Sequence, residues 1–599
     1  MLRTSQIKKL LLRMIPKVIT ADQGLYIWLI NRLVKPKEII LICFSADSKS
    51  RLVLQGKFSS STEVKEIENL NPSKEFCTLF NSAVSKMASS SKFSDAVVIN
   101  RNVERNPLTS NLLRYSHILN LCMKLNNFNA NTVFVTDKKE IKKLIQKSLR
   151  NKHSPSWIPN LILTLRVVCS LPKFLFWYSI NKFRCISLSV HQKPDILINT
   201  FVQNQAENNE FSDSYFPGVA EEISKHNLTV SYLISGYIWF PVELASIESN
   251  CIFPEFKHFK IKDFVKSLRT ALRRTYAFKE AFSIEGFKLD HLWRFETRQH
   301  STDLDLFHIG MRLSLFDRFS KVMPSVKAVV CEFEGMLIER AFAQSRNNSG
   351  YSFKVLSLQH NNYSSDLINI FPTDDDFSRN LLPNKIFFMG SKYLEDFRSK
   401  YPQFEDIGMV PAYRYRKTFE NAMKVATDNW IGVVCGIRLV ENLEIITWLK
   451  KHEKFSRVNF VFFIHPSMQP ADRKILLEEM VGSSFSVSDT GFLQALNENS
   501  KFVVSSSSSG VIALFQNRQV LRIPTWKCAD INPLEDFEDF YYHAENGDHV
   551  RKFLDLNSSL AGIPDTNFSP ELIDSYFNYK INDLNLEISK ISTKVTRRR

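Results

Sequence analysis

The sequence predicts an α/β protein with two Rossmann-like domains, preceded by a further α/β portion. Short apolar runs recur along the chain with helix-like segments between them, the alternation that builds parallel sheets. Several runs end in a polar or small residue just before a helix, at the carboxyl edge where open α/β sheets bind ligands. Length agrees: 599 residues exceed one core, and at about 100–200 residues per domain they suggest three units or two large ones.

Residues 1–150 make the N-terminal α/β portion, with strands expected at EIILIC (38–43) and TVFVTD (132–137). Its opening stretch, MLRTSQIKKLLLRMIPKVI, carries Arg and Lys through its apolar positions and lacks a small-residue cleavage site, so an amphipathic helix is expected and not a signal peptide. Residues 151–193 form a basic, aromatic segment. Residues 194–420 form the first Rossmann-like domain, with strands at DILINTF (195–201), TVSYLI (229–234), KAVVCE (327–332), FKVLSLQ (353–359) and KIFFMG (385–390). After a seam near 412–429, residues 421–570 form the second, with WIGVVCG (430–436), NFVFFIH (459–465), KFVVSS (501–506) and QVLRIP (519–524). Residues 571–599 supply a C-terminal helix and a basic tail.

The balance of 78 Lys+Arg against 62 Asp+Glu gives a net charge of +16, which implies an anionic partner. A composition 44% hydrophobic and 23% charged excludes a mainly disordered chain. Glycine is scarce at 17 and phenylalanine abundant at 48, which fits either codon bias or a surface that touches something apolar. The nine cysteines are scattered with no pair at metal-ligand spacing, the usage expected of reduced thiols in a cytoplasmic protein. The longest stretch free of acids and bases, roughly 226–242, is broken by Gly236 and Pro241, so no bilayer-spanning segment is expected.

Much of the charge falls in one block. From Ile141 to Pro194 there is no Asp or Glu, while Lys142, Lys143, Lys147, Arg150, Lys152, Arg166, Lys173, Lys182, Arg184 and Lys193 lie among Trp157, Leu161, Leu165, Phe176, Trp177 and Phe183. Cations mixed with Trp, Phe and Leu suit a helix lying in an anionic membrane interface. The competing reading is a helical hairpin packed on the protein with a solvated basic face. Nucleic acid is not expected as a partner, because no nucleic-acid motif accompanies the block.

Chemistry-bearing residues cluster at strand ends. IHPSMQP (464–470) offers His465 to a phosphate oxygen, with Pro466 fixing the turn; SSSSSG (505–510) offers the hydroxyls and N–H groups of Ser505, Ser506 and Ser507. The plain alternative is a turn and a helix cap. Gly436 and Arg438 follow the first strand of the same half and are placed to approach a phosphate. In the first half, CEFEGMLIER (331–340) supplies Glu332, Glu334 and Glu339, and a carboxylate there suits a general base, Glu334 foremost. Glu334 and Glu339 are read as both able to face the cleft. Gln359 and His360 end another strand and are expected to bind acceptor or support Glu334; Arg414, at the seam, suits a phosphate or sugar carboxylate, with a solvent-exposed linker charge as the alternative. TDDD (373–376) follows Pro372 and reads as a surface loop, so no metal is expected.

The pair of His-Pro and serine motifs resembles that of two-Rossmann (GT-B) transferases using cytidine nucleotides, the bacterial sialyl- and polysialyltransferases and, more distantly, the teichoic-acid glycerophosphotransferases. In those families the His and serines hold the donor's CMP or CDP phosphate, which implies that role for His465 and Ser505–Ser507. Their base lies in an acidic-acidic-Gly turn; here Phe333-Glu334-Gly335 keeps one acidic residue before the glycine. The wider pattern is similar to bacterial surface carbohydrate biosynthesis proteins of O-antigen and capsule loci. DSYFPGVAEEISKHNLTVSYL (213–233), the Glu334…Glu339 pair, LQH (358–360) and GMVPAYRY (408–415) carry that likeness, which covers roughly residues 195–530.

The resemblance implies a metal-independent glycosyltransferase without a cofactor, peripheral on the inner face of the cytoplasmic membrane. It would move a sugar from a nucleotide donor, a CMP-activated acidic sugar by the resemblance, to a lipid-linked or growing polysaccharide such as O-antigen, capsule or lipopolysaccharide. Two alternatives stay open: a CDP-polyol phosphotransferase of teichoic-acid type, and a non-catalytic scaffold of the assembly machinery.

Overall fold

The computed structural model describes residues 193–554 and 568–596 except 202–205, 208–209, 212, 236–251, 275–281, 351–352, 417, 419–429, 453–458, 467, 482, 489–490, 497–498 and 526–527. Before these it describes 18–20, 38–42, 63–66, 71–91, 100, 105–107, 110–128, 132–136, 139–150 and 157–185.

The N-terminal portion has a parallel sheet of its own, β1 (Val18–Thr20), β2 (Glu38–Ile42), β3 (Glu63–Glu66) and β4 (Thr132–Thr136), in the order β1-β4-β2-β3. Among the described residues it therefore adds no strand to the first Rossmann-like domain. Val18 and Ile19 fall within the expected N-terminal helix but form a strand, because Pro16 disfavours a helix there and three β-branched residues follow. The rest of that expected helix lies outside the described residues.

The first Rossmann-like sheet comprises β5 (Ile196–Phe201), β6 (Val230–Ser235), β7 (Ala328–Glu332), β8 (Lys354–Leu358), β9 (Lys385–Phe388) and β10 (Ile407–Met409). All pairings are parallel, in the order β10-β9-β8-β7-β5-β6. The strand order reverses between β5 and β7, which opens a crevice at their carboxyl ends. Parallel strands are covered on both faces, which is why the residues of β7 are continuously apolar until Glu332 and wholly buried.

The second sheet comprises β11 (Trp430–Val434), β12 (Asn459–Phe463), β13 (Phe485–Val487), β14 (Lys501–Val504), β15 (Gln519–Arg522) and β16 (Tyr542–His543). Its order is β13-β12-β11-β14-β15-β16, again all parallel, the 3-2-1-4-5-6 order of dinucleotide-binding folds. Its switch point lies between β11 and β14. Strands β10, β13 and β16 escape sequence reading because two or three residues show no period.

The C-terminal helices return to the first domain. Helix Pro570–Tyr576 packs on helix Ser391–Lys400, and helix Asp583–Thr596 packs on β10. The Met409 N–H donates to Asp583 Oδ2 at 2.8 Å, and Leu584, Ile588 and Ile591 join the first core.

One expectation is corrected here. TDDD is no surface loop: it opens helix Asp374–Ser378, with Asp375 and Asp376 buried. Asp376 pairs with Arg340 and lies 3.6 Å from Arg105, and Asp375 meets Arg379 at 2.7 Å. Burial requires this pairing, and it ties the N-terminal portion to the first domain.

Candidate functional site

The candidate site is built from the carboxyl ends of β7 and β8 in one domain and of β12 and β14 in the other. Beyond β7 the chain turns at Glu334-Gly335-Met336 into helix Leu337–Ser349. Gly335 takes φ +65°, and a Cβ there would stand 1.9 Å from the Asn369 carbonyl oxygen, so the turn requires glycine. The Asn369 amide donates to the Glu334 carbonyl at 2.5 Å.

The three carboxylates of this turn have separate fates. Glu339 bends back: its Oε1 accepts from the N–H groups of Glu334 (2.9 Å) and Met336 (3.1 Å), its Oε2 from Gly335 (3.3 Å). The reading that Glu339 faces the cleft is therefore corrected; from the third position of the helix it reaches back to the N-cap N–H of Met336 and to the two N–H groups before it, as the carboxylate of a capping box does. Glu332 is fully enclosed and accepts from the Asn199 amide at 2.9 Å. Burial, with the charge of Glu334, pushes Glu332 up to about 8, and burial with the charge of Glu332 raises Glu339 well above the usual carboxylate range. Glu334 alone keeps its side chain partly in solvent, at 32%.

At the end of β8, Gln359 is spent on the backbone: it donates to the Asn361 carbonyl at 2.9 Å and accepts from the Met389 N–H at 3.3 Å. His360 is buried, with Nε2 at 3.4 Å from Glu334 Oε1 and its ring 4.7 Å from that of Tyr215. Burial, and next the charge of Arg414, hold its pKa well below the ordinary value, so the imidazole is neutral. Asn361 Oδ1 accepts from the hydroxyls of Tyr415 and, across the domains, Ser508, each at 2.6 Å.

Arg414 stands in the cleft and is not a solvent-exposed linker charge. Its guanidinium lies 5.2 Å from the centre of the Tyr215 ring and 5.9 Å from that of Tyr415. Its charge is felt by both His360 and His465, so these residues, far apart in sequence, share one environment. His465 follows β12; burial first, then Arg414, lower its pKa to about 4, leaving it neutral at pH 7. The Met468 N–H donates to the His465 carbonyl at 3.0 Å, closing the turn that contains exposed Pro466.

The serines divide. Ser505 is buried; Ser506 donates both its N–H (3.0 Å) and its hydroxyl (2.5 Å) to Glu441; the Ser507 hydroxyl accepts from the Ser509 N–H at 3.3 Å; Ser508 reaches Asn361. Arg438 pairs with the same Glu441 at 3.2 Å, and the Glu441 carboxylate would lie 2.6 Å from a Cβ on Gly436. Gly436, Arg438 and Ser506 thus meet at the switch point of the second sheet around Glu441, which accepts from Arg438 and Ser506, while the Gly436 N–H donates to Asn442 Oδ1 at 2.9 Å.

Sequence reasoning missed Tyr215, Asn361, Asn369, Tyr415, Ser508 and Glu441. Asn361 and Ser508 carried a signal, one directly after LQH and the other inside the serine run. Nothing local marked Asn369, whose partner lies 35 residues away, and Glu441 meets Ser506 65 residues on although its other partner, Arg438, is three residues before it.

No family model matches the chain, and no curated protein matches it. Among solved structures it is similar to UDP-N-acetylglucosamine 2-epimerase from Rickettsia bellii, at 11% identity and TM-score 0.36, over 67% of this chain and 95% of that one. It is also similar to MurG from Acinetobacter baumannii, at 11% identity and TM-score 0.33, over 67% and 100%. A third similarity is to the glycotransferase of kitacinnamycin, at 11% identity and TM-score 0.35, over 68% and 99%.

Proposed function

We propose that the chain is a glycosyltransferase whose cleft takes a nucleotide-activated sugar between its two Rossmann-like domains, with Glu334 as the general base. The observation that carries this reading is Glu334, a partly exposed carboxylate at a strand end, set 3.4 Å from the neutral His360 in a cleft that also holds Arg414 and His465. Glu334 removes the proton of an acceptor hydroxyl as that oxygen attacks the anomeric carbon. The bond from that carbon to the donor phosphate oxygen breaks, and the nucleotide leaves with the electron pair. The guanidinium of Arg414 and the N–H of His465 meet the charge that grows on the phosphate. Glu332 and Glu339 act in this scheme through Glu334, and the Ser507 hydroxyl is the member of Ser505–Ser507 best placed to reach a ligand, since Ser505 is buried and Ser506 is held by Glu441.

Resemblance of the His-Pro and serine motifs to cytidine-using transferases favours a CMP-activated acidic sugar, whose carboxylate suits Arg414. The acceptor in this reading is a lipid-linked or growing surface polysaccharide. Calorimetric titration with CMP, CDP, UDP and GDP, repeated with His465→Ala, tests the donor site: cytidine nucleotides are expected to bind, and the variant to bind at least about tenfold more weakly. Binding of none overturns the reading. Supplying CMP-sugars and CDP-polyols separately and weighing the product separates sugar transfer from polyol-phosphate transfer. Intact glycan production in cells carrying Glu334→Gln would mark a scaffold.

A further inference from the structure

Three helices on the outer side of the first domain hold side chains that its core does not use. Helices Trp157–Cys169 and Leu171–Arg184 bury Leu163, Val167, Phe174 and Trp177 yet expose Leu161, Leu165, Phe176 (62%) and Phe183 (73%). Helix Ile261–Arg273 repeats the arrangement: Phe264 turns inward, while Ile261 (64%) and Val265 (57%), one turn apart, stand in solvent. The inward faces converge, since Phe307 stacks on Phe174 at 4.2 Å and lies 5.1 Å from Phe264. Helix Trp157–Cys169 also packs directly on helix Ile261–Arg273. Helices that share an inner contact and touch side by side present their outer faces as one surface.

The charged side chains that these helices expose have one sign; Lys266 of the third is paired with Asp317. Residues 157–184 contain no carboxylate but carry Arg166, Lys173, Lys182 and Arg184. In Ile261–Arg273 the lone carboxylate, Asp263, is buried and held by Arg318 at 2.5 Å, leaving Lys262 and Arg269 exposed. At 13 and 14 residues the helices are about 20 Å long, short of the roughly 30 Å apolar thickness of a bilayer. No single helix among the described residues is long and apolar enough to cross a membrane; the bent pair Leu163–Cys169 and Leu171–Arg184 passes that test jointly, at 42°, but its inner side is occupied by the protein core.

We infer that this three-helix face docks on an anionic phospholipid surface, with Phe176, Phe183, Ile261 and Val265 entering the acyl boundary and the Lys and Arg side chains meeting headgroups. The match is one of chemistry: large exposed apolar side chains interleaved with cations, on helices that expose no carboxylate of their own. Helix Ile261–Arg273 extends the face beyond the basic block legible in the sequence. A buried polar chain, Glu332–Asn199–Ser235–Arg312–Glu255–His308, links the strand ends of the cleft to Trp177 on the underside of the docking helices. The face thus belongs to the domain that carries Glu334, although docking does not depend on the proposed reaction.

Co-sedimentation of the full chain with vesicles of phosphatidylcholine alone, or of equal parts phosphatidylcholine and phosphatidylglycerol, tests it. Binding is expected to the anionic vesicles only and to weaken steeply with added salt. Two surface variants, Phe176→Ser with Phe183→Ser and Ile261→Ser with Val265→Ser, should each lower partitioning about tenfold while leaving melting temperature and nucleotide titration unchanged. Equal binding to both vesicles, no binding, or wild-type binding by the Ile261/Val265 variant overturns the inference. So does a concentration-dependent dimer that both variants abolish in the absence of vesicle binding, which would make the face an interface between copies.

Discussion

Glu334 Oε1 and His360 Nε2 lie 3.4 Å apart across the ends of adjacent strands β7 and β8, one carboxylate in partial contact with solvent and one imidazole enclosed by the protein. Parallel pairing places Glu332 opposite Leu358, so the residues two beyond each strand end emerge side by side. The register of the sheet, not a loop excursion, makes the pair.

If Glu334 is the base, Glu334→Gln should lower the turnover rate by about 10²–10⁴-fold and leave nucleotide affinity unchanged. In the proposed reaction His360 positions the carboxylate, so His360→Asn should lower the rate less and shift the pH profile. Steady-state kinetics with calorimetry would show this; a change confined to KM would remove Glu334 from the chemistry.

Gly335→Ala should destabilise the chain by about 1–3 kcal/mol, since φ +65° and the Asn369 carbonyl both oppose a side chain. Glu339→Ala should cost about 1–3 kcal/mol by leaving N–H groups of the turn unpaired, and Glu339→Gln less. Urea unfolding measures both.

Asn361→Leu removes the acceptor shared by Tyr415 and Ser508 and should raise the KM for donor about tenfold, with Asn361→Asp restoring it. Equal loss in both variants would mean that the residue only fills space.

Two groups give stability opposite pH slopes. Glu332 has its folded pKa raised from 4.5 to about 8, so its contribution is whole below pH 4.5 and is lost as pH rises toward 8. His465 has its folded pKa lowered from 6.5 to about 4, so its contribution is whole above pH 6.5 and is lost as pH falls toward 4. Each slope approaches about 1.4 kcal/mol per pH unit. Glu332→Gln should flatten the alkaline side and His465→Gln the acid side in urea titrations across this range.

The eleven runs read as strands, from EIILIC to QVLRIP, are all strands of the three parallel sheets, because a buried parallel strand writes its environment into consecutive apolar residues. The placement of His465, the serine run, Glu334 and His360 at strand ends was legible for the same reason. Direction and partnership were not. Glu339 turns to backbone N–H groups three to five residues away, a choice of side-chain direction that the pattern does not write; whether Ser506 or Ser508 spans the domains, and whether Arg414 is a linker charge or lies against Tyr215, depend on residues tens to hundreds of positions away. The outer face of Ile261–Arg273 was hidden too, since an amphipathic helix reads alike whichever side the core takes. Local pattern determined the elements and their edges; packing alone decided which polar groups those edges bring together and which apolar ones they leave outside.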